Sequence, residues 1–293
     1  MSKNESLIRV GIAYAAAIAV GALWLYVGPK TEWLWLDGLI ADLLATLVIF
    51  AASRWHKNSS FYDAYWSVLP PLLAVYWWSE AGPGVDDTRA WLVLGVIVLW
   101  AVRLTGNWIY AFPGLHHEDF RYAPLRDGAG KAEALVDLAA IHVFPTLQVF
   151  LALVPVYVAV SLPGEEVGWL DVVATVVGVA AVWLSFEADR QMYRFAATKQ
   201  PGESMDRGLW AWSRHPNYFG EWSFWVSLAL FGVASSPGDW WWVVLGAGAM
   251  LAMFLGASIP MMEKRSLERR PTYQAVIDRV PMFVPVPPRK GSA

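Results

Sequence analysis

Residues 90–111 read AWLVLGVIVLWAVRLTGNWIYA, and Arg103 is the only charged side chain among them. A bilayer core about 30 Å thick is crossed by roughly 20 helical residues, because each residue of an α-helix rises about 1.5 Å. This stretch is long enough to cross such a core. It therefore predicts a transmembrane helix, with one guanidinium placed inside the membrane.

The composition of the whole chain is consistent with that prediction. Of its 293 residues, 57% are hydrophobic and 16% are charged, and the mean hydropathy is +0.39. Soluble domains are about 25% charged, so a water-soluble globule is excluded. The 19 Trp and 11 Tyr suit the boundary between lipid tails and headgroups. Since the chain has no Cys, disulfide frameworks, thiolate metal sites and cysteine nucleophiles are excluded.

Further apolar stretches lie on both sides of residues 90–111. Together they predict an all-α fold, a polytopic membrane helix bundle with seven to eight transmembrane helices. The third and seventh stretches are the weakest, and Pro70-Pro71 predicts a bend in the third. The predicted spans are 8–28, 34–53, 63–79, 90–111, 138–161, 168–187, 219–235 and 240–261.

The distribution of basic residues predicts the orientation. If the eight spans are real, nineteen of the 22 Lys and Arg fall on one side, and only Lys30 and Arg89 fall on the other. Cytoplasmic loops of membrane proteins are enriched in Lys and Arg, so both termini are predicted to be cytoplasmic. The long loops 112–137, 188–217 and 262–293 lie on the same side. Chemistry with a soluble cofactor is therefore expected there.

Ionisable groups within the spans are candidates for function, because burying a charge in a membrane is costly. Asp42 and His142 are interpreted as helix–helix hydrogen-bonding residues. Asp63 lies where the third span begins, where a carboxylate also interacts favourably with the helix dipole. Arg103 either reaches back to the headgroups or points into the bundle, where it is suited to bind phosphate.

Residues 183–225 form the densest polar block of the sequence. Glu187 and Asp189 lie near the cytoplasmic end of the sixth span, where carboxylates need hydrogen-bond donors. Pro216 then opens the next helix, directly after Arg214 and His215. This pattern predicts an anion-accepting helix start, although a simple Pro-Asn turn with solvated charges has the same sequence.

Metal and Rossmann-type nucleotide sites are not expected. His116, His117, Glu118 and Asp119 are adjacent, and neighbouring loop residues rarely converge on one ion. The sequence contains neither GxGxxG nor the P-loop pattern, so a bound dinucleotide would need another kind of site.

Several motifs together resemble the steroid 5-alpha-reductase family, in particular its bacterial membrane-embedded branch. The matching segments are FEADRQMYRF at 186–195, SRHPNYFGEW at 213–222, DAYW at 63–66, LWAVRL at 99–104 and HEDFRY at 117–122. The Arg-His-Pro-Asn-Tyr element alone is also similar to elements of sterol C14-reductases and isoprenylcysteine-type methyltransferases. The resemblance begins near residue 60, so residues 1–60 are assigned to N-terminal transmembrane helices and 61–293 to a reductase core.

The resemblance implies an NADPH-dependent enzyme that transfers hydride to the C=C bond of an enone such as a 3-oxo-delta-4 steroid. It implies cofactor contacts, with no metal, at Arg103, Asp189, Asn217, Tyr218 and Glu221, and Asn107 is assigned to the same site. The phosphates of such a cofactor need cationic or donor-rich side chains, which Arg103, Arg121, Arg214 and His215 are expected to supply. Catalytic roles are assigned to Asp63, Tyr65 and Glu221, although Trp100 falls where the family has a substrate-binding Tyr. The expected partners are a lipophilic small molecule and membrane lipids, without nucleic acid. The expected protein is a monomer of the bacterial inner membrane whose active site opens to the cytoplasm.

Two alternatives remain open. An S-adenosylmethionine-dependent methyltransferase would share the Arg-His-Pro-Asn-Tyr element, with Glu263 and Glu268 in place of its C-terminal Glu pair. A non-enzymatic sterol- or lipid-binding membrane protein would need only a cleft between Trp-rich helices, but it leaves the polar block unexplained. A transporter is disfavoured, because the ionisable residues gather on one side instead of crossing the midplane.

Overall fold

The computed structural model describes residues 1–287, which form helices and loops without a strand. The all-α prediction is confirmed, and each predicted span corresponds to a long helix. Two short helices, Tyr122–Asp127 and Gln274–Arg279, lie in the loops. The long helices are α1 (Lys3–Val27), α2 (Leu34–His56), α3 (Tyr65–Ser79), α4 (Asp87–Ala111), α5 (Gly130–Ser161), α6 (Trp169–Thr198), α7 (Pro216–Ser235) and α8 (Pro237–Arg269).

Six of the long helices in this described part of the chain are long and apolar enough to cross a membrane. The protein is therefore a polytopic helical membrane bundle. The exceptions are α3 and α7, which correspond to the two weakest predicted spans. Helix α3 has only 15 residues, and it continues through Pro70 and Pro71 as one element.

The long loops gather at one end of the bundle. Lys3 Nζ donates to the carbonyl of Tyr110 over 2.9 Å, which joins the start of α1 to the end of α4. Arg54 binds Glu133 over 2.7 Å and so joins the end of α2 to the start of α5. Helices α6 and α8 both extend past their predicted ends at 187 and 261 on this side. This end is called the loop-rich end below.

A buried ion pair joins two helices at the opposite end of the bundle. Arg89, at the start of α4, binds Asp171 of α6 over 2.8 Å, and each side chain is 1% exposed. The same guanidinium donates to the carbonyls of Glu165 and Glu166. Arg89 is one of the two basic residues on the side that is poor in Lys and Arg. It therefore joins α4 to α6 at this end.

Helices α6 and α7 pack closely because glycine lies at their contact. A Cβ atom on Gly220 would lie 2.9 Å from the carbonyl oxygen of Ala181 and 3.0 Å from the nitrogen of Ser185. Such distances are too short for a side chain of any size, so only glycine fits this position without a shift of the backbone. The close packing brings Asp189 of α6 next to the first turns of α7.

Helix α5 contains a π-helical turn at Asp137–Val143. His142 lies on this turn, and its Nε2 is 3.0 Å from Oγ of Ser53 in α2. Its Nδ1 is 3.0 Å from the carbonyl of Asp137. The interpretation of His142 as a helix–helix hydrogen-bonding residue is confirmed.

Candidate active site

Glu221 is the centre of a polar network at the start of α7. Its carboxylate accepts hydrogen bonds from Trp100 Nε1 over 2.7 Å and from Arg103 Nη2 over 2.6 Å. Both donors belong to α4, and Glu221 itself is 6% exposed. A buried carboxylate needs such donors, because an unpaired charge in a low-dielectric interior is very costly.

Asp189 of α6 extends the network. Its Oδ2 accepts from Asn107 over 3.0 Å and lies 3.5 Å from Arg103, while its Oδ1 accepts from Asn217 over 3.2 Å. The sequence predicted that a carboxylate at this helix end needs donors. The protein supplies them from α4 and α7.

The network joins three helices through six side chains. Arg103 points into the bundle, so the interior alternative for this residue is confirmed, and Asn217 and Glu221 share one face of α7 as predicted. One guanidinium faces two carboxylates, which leaves a negative formal charge. Within residues 1–287, the buried Nε of Arg103 finds no hydrogen-bond partner. Such unpaired groups cost free energy and are uncommon in folded proteins.

The guanidinium of Arg214 is bound to other parts of the protein. Its Nε donates to Glu263 over 2.6 Å, and its Nη1 donates to the carbonyls of Ile277 and Val280 over 3.0 and 2.6 Å. The side chain is 9% exposed. Its physical role is to hold the segment after α8 against the start of α7.

The final described residues, 281–287, form an extended strap along the same surface. The amide of Val286 donates to the carbonyl of Trp212 over 2.9 Å, and Ser213 Oγ donates to the carbonyl of Phe283 over 2.8 Å. The Phe283 ring packs against Phe219 and Trp222. These contacts hold residues 281–287 against the start of α7.

His215 and Tyr218 form a stack beside this strap. Their rings lie 5.6 Å apart and nearly parallel, and Tyr218 stacks in turn on Phe254 of α8 at 5.1 Å. His215 Nε2 lies 3.1 Å from Glu263. Both predicted residues are therefore at the loop-rich end, where they pack against α8.

Asp63 and Arg121 belong to a separate group on the loops. Tyr122 donates a hydrogen bond to Asp63, and Arg121 binds Asp119 over 2.7 Å. Burial raises the pKa of Asp63 to about 6, which the hydrogen bond from Tyr122 partly opposes. The described contacts do not connect this group by hydrogen bonds to Glu221.

Tyr65 lies near the start of α3 and belongs neither to the Glu221 network nor to the group around Asp63. Its hydroxyl is 3.3 Å from the Oδ1 atom of Asp42 in α2, so the interpretation of Asp42 as a helix–helix hydrogen-bonding residue is confirmed. The next residue, Trp66, packs edge-on against Trp100 with 5.8 Å between the ring centroids. Because Trp100 binds Glu221, the Trp66 ring lies against a residue of the central network.

Two residues of the site were not assigned to it from the sequence. Trp100 was noted only as a departure from the family pattern, yet it is a donor to Glu221. Glu263 was considered only for a methyltransferase, yet it binds both Arg214 and His215. No spacing rule connects these partners, because each pair lies on helices far apart in the chain.

The fold and the network together define a class of membrane helix bundles with a buried ionic site near the loop-rich end. Within that class, the chain belongs to the family DUF1295, described as a protein of unknown function, which matches residues 49–280. An uncharacterized protein of Schizosaccharomyces pombe is 28% identical over 272 residues, which is 85% of this chain and 78% of that protein. No solved structure matches the chain.

Proposed function

We propose that the protein is an NADPH-dependent reductase that transfers hydride to the C=C bond of a lipophilic enone, such as a 3-oxo-delta-4 steroid. The observation that carries this proposal is the network of Arg103, Asn107, Asp189 and Asn217 around the buried Glu221. The motifs around it resemble those of the steroid 5-alpha-reductase family. Bound NADPH would supply the hydride, and the protein would supply position and electrostatics.

The network suits the carboxamide of a nicotinamide ring. That group combines a carbonyl acceptor with an NH₂ donor, so it needs a protein donor and a protein acceptor side by side. The buried Nε of Arg103 has no partner among residues 1–287, and Glu221 and Asp189 are acceptors within reach of the same guanidinium. In this proposal, Asn107 and Asn217 hold Asp189 in place.

The phosphates require basic residues nearer the loops. Arg121 keeps 40% of its side chain exposed while it binds Asp119, so it is our candidate for a phosphate contact. Arg214 and His215 act indirectly in this proposal. Arg214 holds the carbonyls of Ile277 and Val280, and His215 stacks on Tyr218.

The proposal places the substrate on the membrane side of the network. A lipophilic enone partitions into the bilayer, and the rings of Trp66 and Trp100 border the network there. Exclusion of water from such a site strengthens the electrostatic interactions that orient the reacting groups. We propose Asp63 or Tyr65 as the proton donor and a monomer as the active species.

A methyltransferase that uses S-adenosylmethionine is the second candidate. The observation that favours it is the contact of Glu263 with both Arg214 and His215. That contact combines the Arg-His-Pro-Asn-Tyr element with an acidic residue of α8. It does not account for the network around Glu221.

Thermal unfolding of the detergent-solubilised full chain separates the two candidates. NADPH at a hundredfold excess over its Kd should stabilise the protein by about 2.7 kcal/mol. The matched pair of variants is Arg103→Lys and Arg89→Lys, because each changes a buried arginine that binds a carboxylate, at opposite ends of the bundle. Only Arg103→Lys should reduce the NADPH-dependent shift. Stabilisation by S-adenosylmethionine without stabilisation by NADPH would replace the reductase proposal with the methyltransferase.

We propose the bacterial inner membrane as the location, with the loop-rich end in the cytoplasm. The support is the excess of Lys and Arg at that end. NADPH is a soluble cytoplasmic cofactor, so this orientation gives it access to the network.

A further inference from the structure

Arg265 of α8 contacts an aromatic ring of the loop between α4 and α5. Its central guanidinium carbon lies 3.5 Å from the centroid of the Phe120 ring, which is van der Waals contact. At this distance the guanidinium faces the ring with its flat side, where the ring attracts a cation. The N–H donors of a guanidinium lie in its plane, so this contact leaves them available. Within residues 1–287, no carboxylate forms an ion pair with Arg265.

The loop that carries Phe120 is fixed from the other side by the buried turn between α2 and α3. Asn58 Nδ2 donates to the carbonyls of Leu115 and His117 over 3.0 and 2.9 Å. The amide of Asp119 donates to Ser60 Oγ over 3.0 Å. The loop therefore has a defined position at the point where it meets α8.

Arg121 follows Phe120 directly and brings a second guanidinium to the same loop. Its Nε and Nη2 donate to Asp119 over 2.7 and 3.1 Å, and 40% of the side chain is exposed. Asp119 thus fixes the direction of this guanidinium and leaves its Nη1 to a ligand. Burial raises the pKa of Tyr218, and the charge of Arg121 partly opposes that shift, so Arg121 lies near the start of α7.

The charge beside Phe120 suits a phosphate monoester. Two guanidiniums border this ring, and Asp119 neutralises only one of them. A phosphate monoester carries a charge of about −1.5 to −2 at neutral pH, so it needs more than one cation. Arginine is suited to phosphate because its planar N–H donors match two oxygens at once.

The position of Arg265 indicates which part of a ligand it meets. Glu263, two residues earlier on α8, lies 3.1 Å from His215, the residue before α7. From His215 to Glu221 the helix rises about 9 Å, and Arg265 lies beyond this level toward the loop-rich end. A cofactor whose nicotinamide is held at Glu221 would therefore present its opposite, adenosine end to Arg265. In NADPH that end carries the 2′-phosphate, which is the monoester of the molecule.

We infer that Arg265 and Arg121 bind the 2′-phosphate of the cofactor and so make the protein select NADPH over NADH. The inference rests on the proposed function, to which it adds the residue that determines cofactor specificity. Phe120 is a positioning residue in this inference, because its ring supports the guanidinium of Arg265.

The test uses two nucleotides that differ only by the 2′-phosphate. Adenosine 2′,5′-bisphosphate and adenosine 5′-monophosphate are titrated by calorimetry against the detergent-solubilised full chain. We expect the bisphosphate to bind about a hundredfold more tightly, because each guanidinium should contribute about tenfold, which is 1.4 kcal/mol. In Arg265→Gln this ratio should fall about tenfold, while the affinity for the monophosphate stays unchanged and shows that the variant is folded.

Three further variants separate the geometry of Arg265 from its charge. Arg265→Lys keeps the charge without the planar donors and should lose part of the preference. Phe120→Leu removes the ring under the guanidinium and should also lose part of it. Lys264→Gln is the matched control, since it removes one positive charge from the neighbouring exposed position. This control should keep the wild-type ratio.

Equal binding of the two nucleotides by the wild type, or no binding of either, would overturn the inference. An equal fall of the ratio in Arg265→Gln and Lys264→Gln would overturn it too, because the preference would then come from general charge. An anionic lipid offers the same chemistry, so phosphatidic acid is added to the micelles as a further arm. If this lipid stabilises the wild type but not Arg265→Gln, and the nucleotides bind equally, the site belongs to a headgroup and the inference fails.

The proposed function is tested separately from the phosphate site. If NADPH supports reduction of an enone while Arg265→Gln keeps the wild-type ratio, the inference fails and the proposed function stands. If Arg265→Gln lowers the ratio as expected but NADPH reduces no enone, the phosphate site stands and the reductase proposal fails.

Discussion

Replacing Glu221 by Gln tests whether the central network is a tightly coupled unit. The carboxylate of Glu221 accepts from Trp100 over 2.7 Å and from Arg103 over 2.6 Å, one donor to each oxygen. Gln has the same shape but only one acceptor oxygen, and its other terminal atom is an NH₂ donor. Either Trp100 Nε1 or Arg103 Nη2 must then face the NH₂ group of the new Gln side chain, which is also a donor.

The cost follows from these contacts. The substitution removes one charge-assisted hydrogen bond, which contributes about 1.5–3 kcal/mol. If the NH₂ group faces Arg103, the guanidinium keeps only its longer contact of 3.5 Å to Asp189 among its described partners. Breaking a buried ion pair from one side costs about 3–5 kcal/mol. We expect Glu221→Gln to lower the free energy of unfolding by about 3 kcal/mol, because Gln keeps part of the hydrogen bonding.

A double-mutant cycle measures the coupling directly. The wild type, Glu221→Gln, Arg103→Gln and the double variant are unfolded by denaturant in the same detergent. Contacting residues in one network show coupling energies of about 0.5–3 kcal/mol, and we expect about 2 kcal/mol here. Additive costs, with coupling below about 0.5 kcal/mol, would refute the network as described. Under the proposed function, Glu221→Gln should also lower kcat steeply, because small displacements of a hydride donor are costly.

Three further predictions follow from the contacts between helices and from the charge distribution. Arg214→Ala should loosen residues 277–280, whose carbonyls its guanidinium binds, so limited proteolysis should cut there faster, while the affinity for NADPH changes little; unchanged cleavage would contradict the anchor role. Gly220→Ala should destabilise the protein by about 3 kcal/mol because its new Cβ lies 2.9 Å from the Ala181 carbonyl, whereas Gly95→Ala, with nothing within 4 Å, should not be destabilising. A reporter fused after Ala293 should be active only if it functions in the cytoplasm, and a periplasmic signal would reverse the assigned orientation.

The sequence predicted the helices well because hydropathy is a local property. Each of the eight predicted spans corresponds to a long helix, and the two weakest correspond to α3 and α7. Asn217 and Glu221 were predicted to share a face because they are four residues apart on one helix. Such inferences depend only on the rise and the rotation per residue of an α-helix. Packing against neighbouring helices changes these two quantities little.

The partners of these residues could not be predicted in the same way. Glu221 binds Arg103 and Trp100 of α4, and Arg214 binds Glu263 of α8. These contacts depend on how each helix is rotated about its axis and on how closely two helices approach. Local sequence patterns do not determine either quantity.

The sequence by itself determined the membrane class of this protein, its helical spans and the unequal distribution of its charges, because each of these depends on residues that are neighbours in the chain. Only the tertiary structure decided that Arg103 points into the bundle, that Arg214 binds the segment after α8, and that Asp42 meets Tyr65. The physical reason is that helix packing, through close contacts such as the one at Gly220, selects which of many possible side-chain pairs meet.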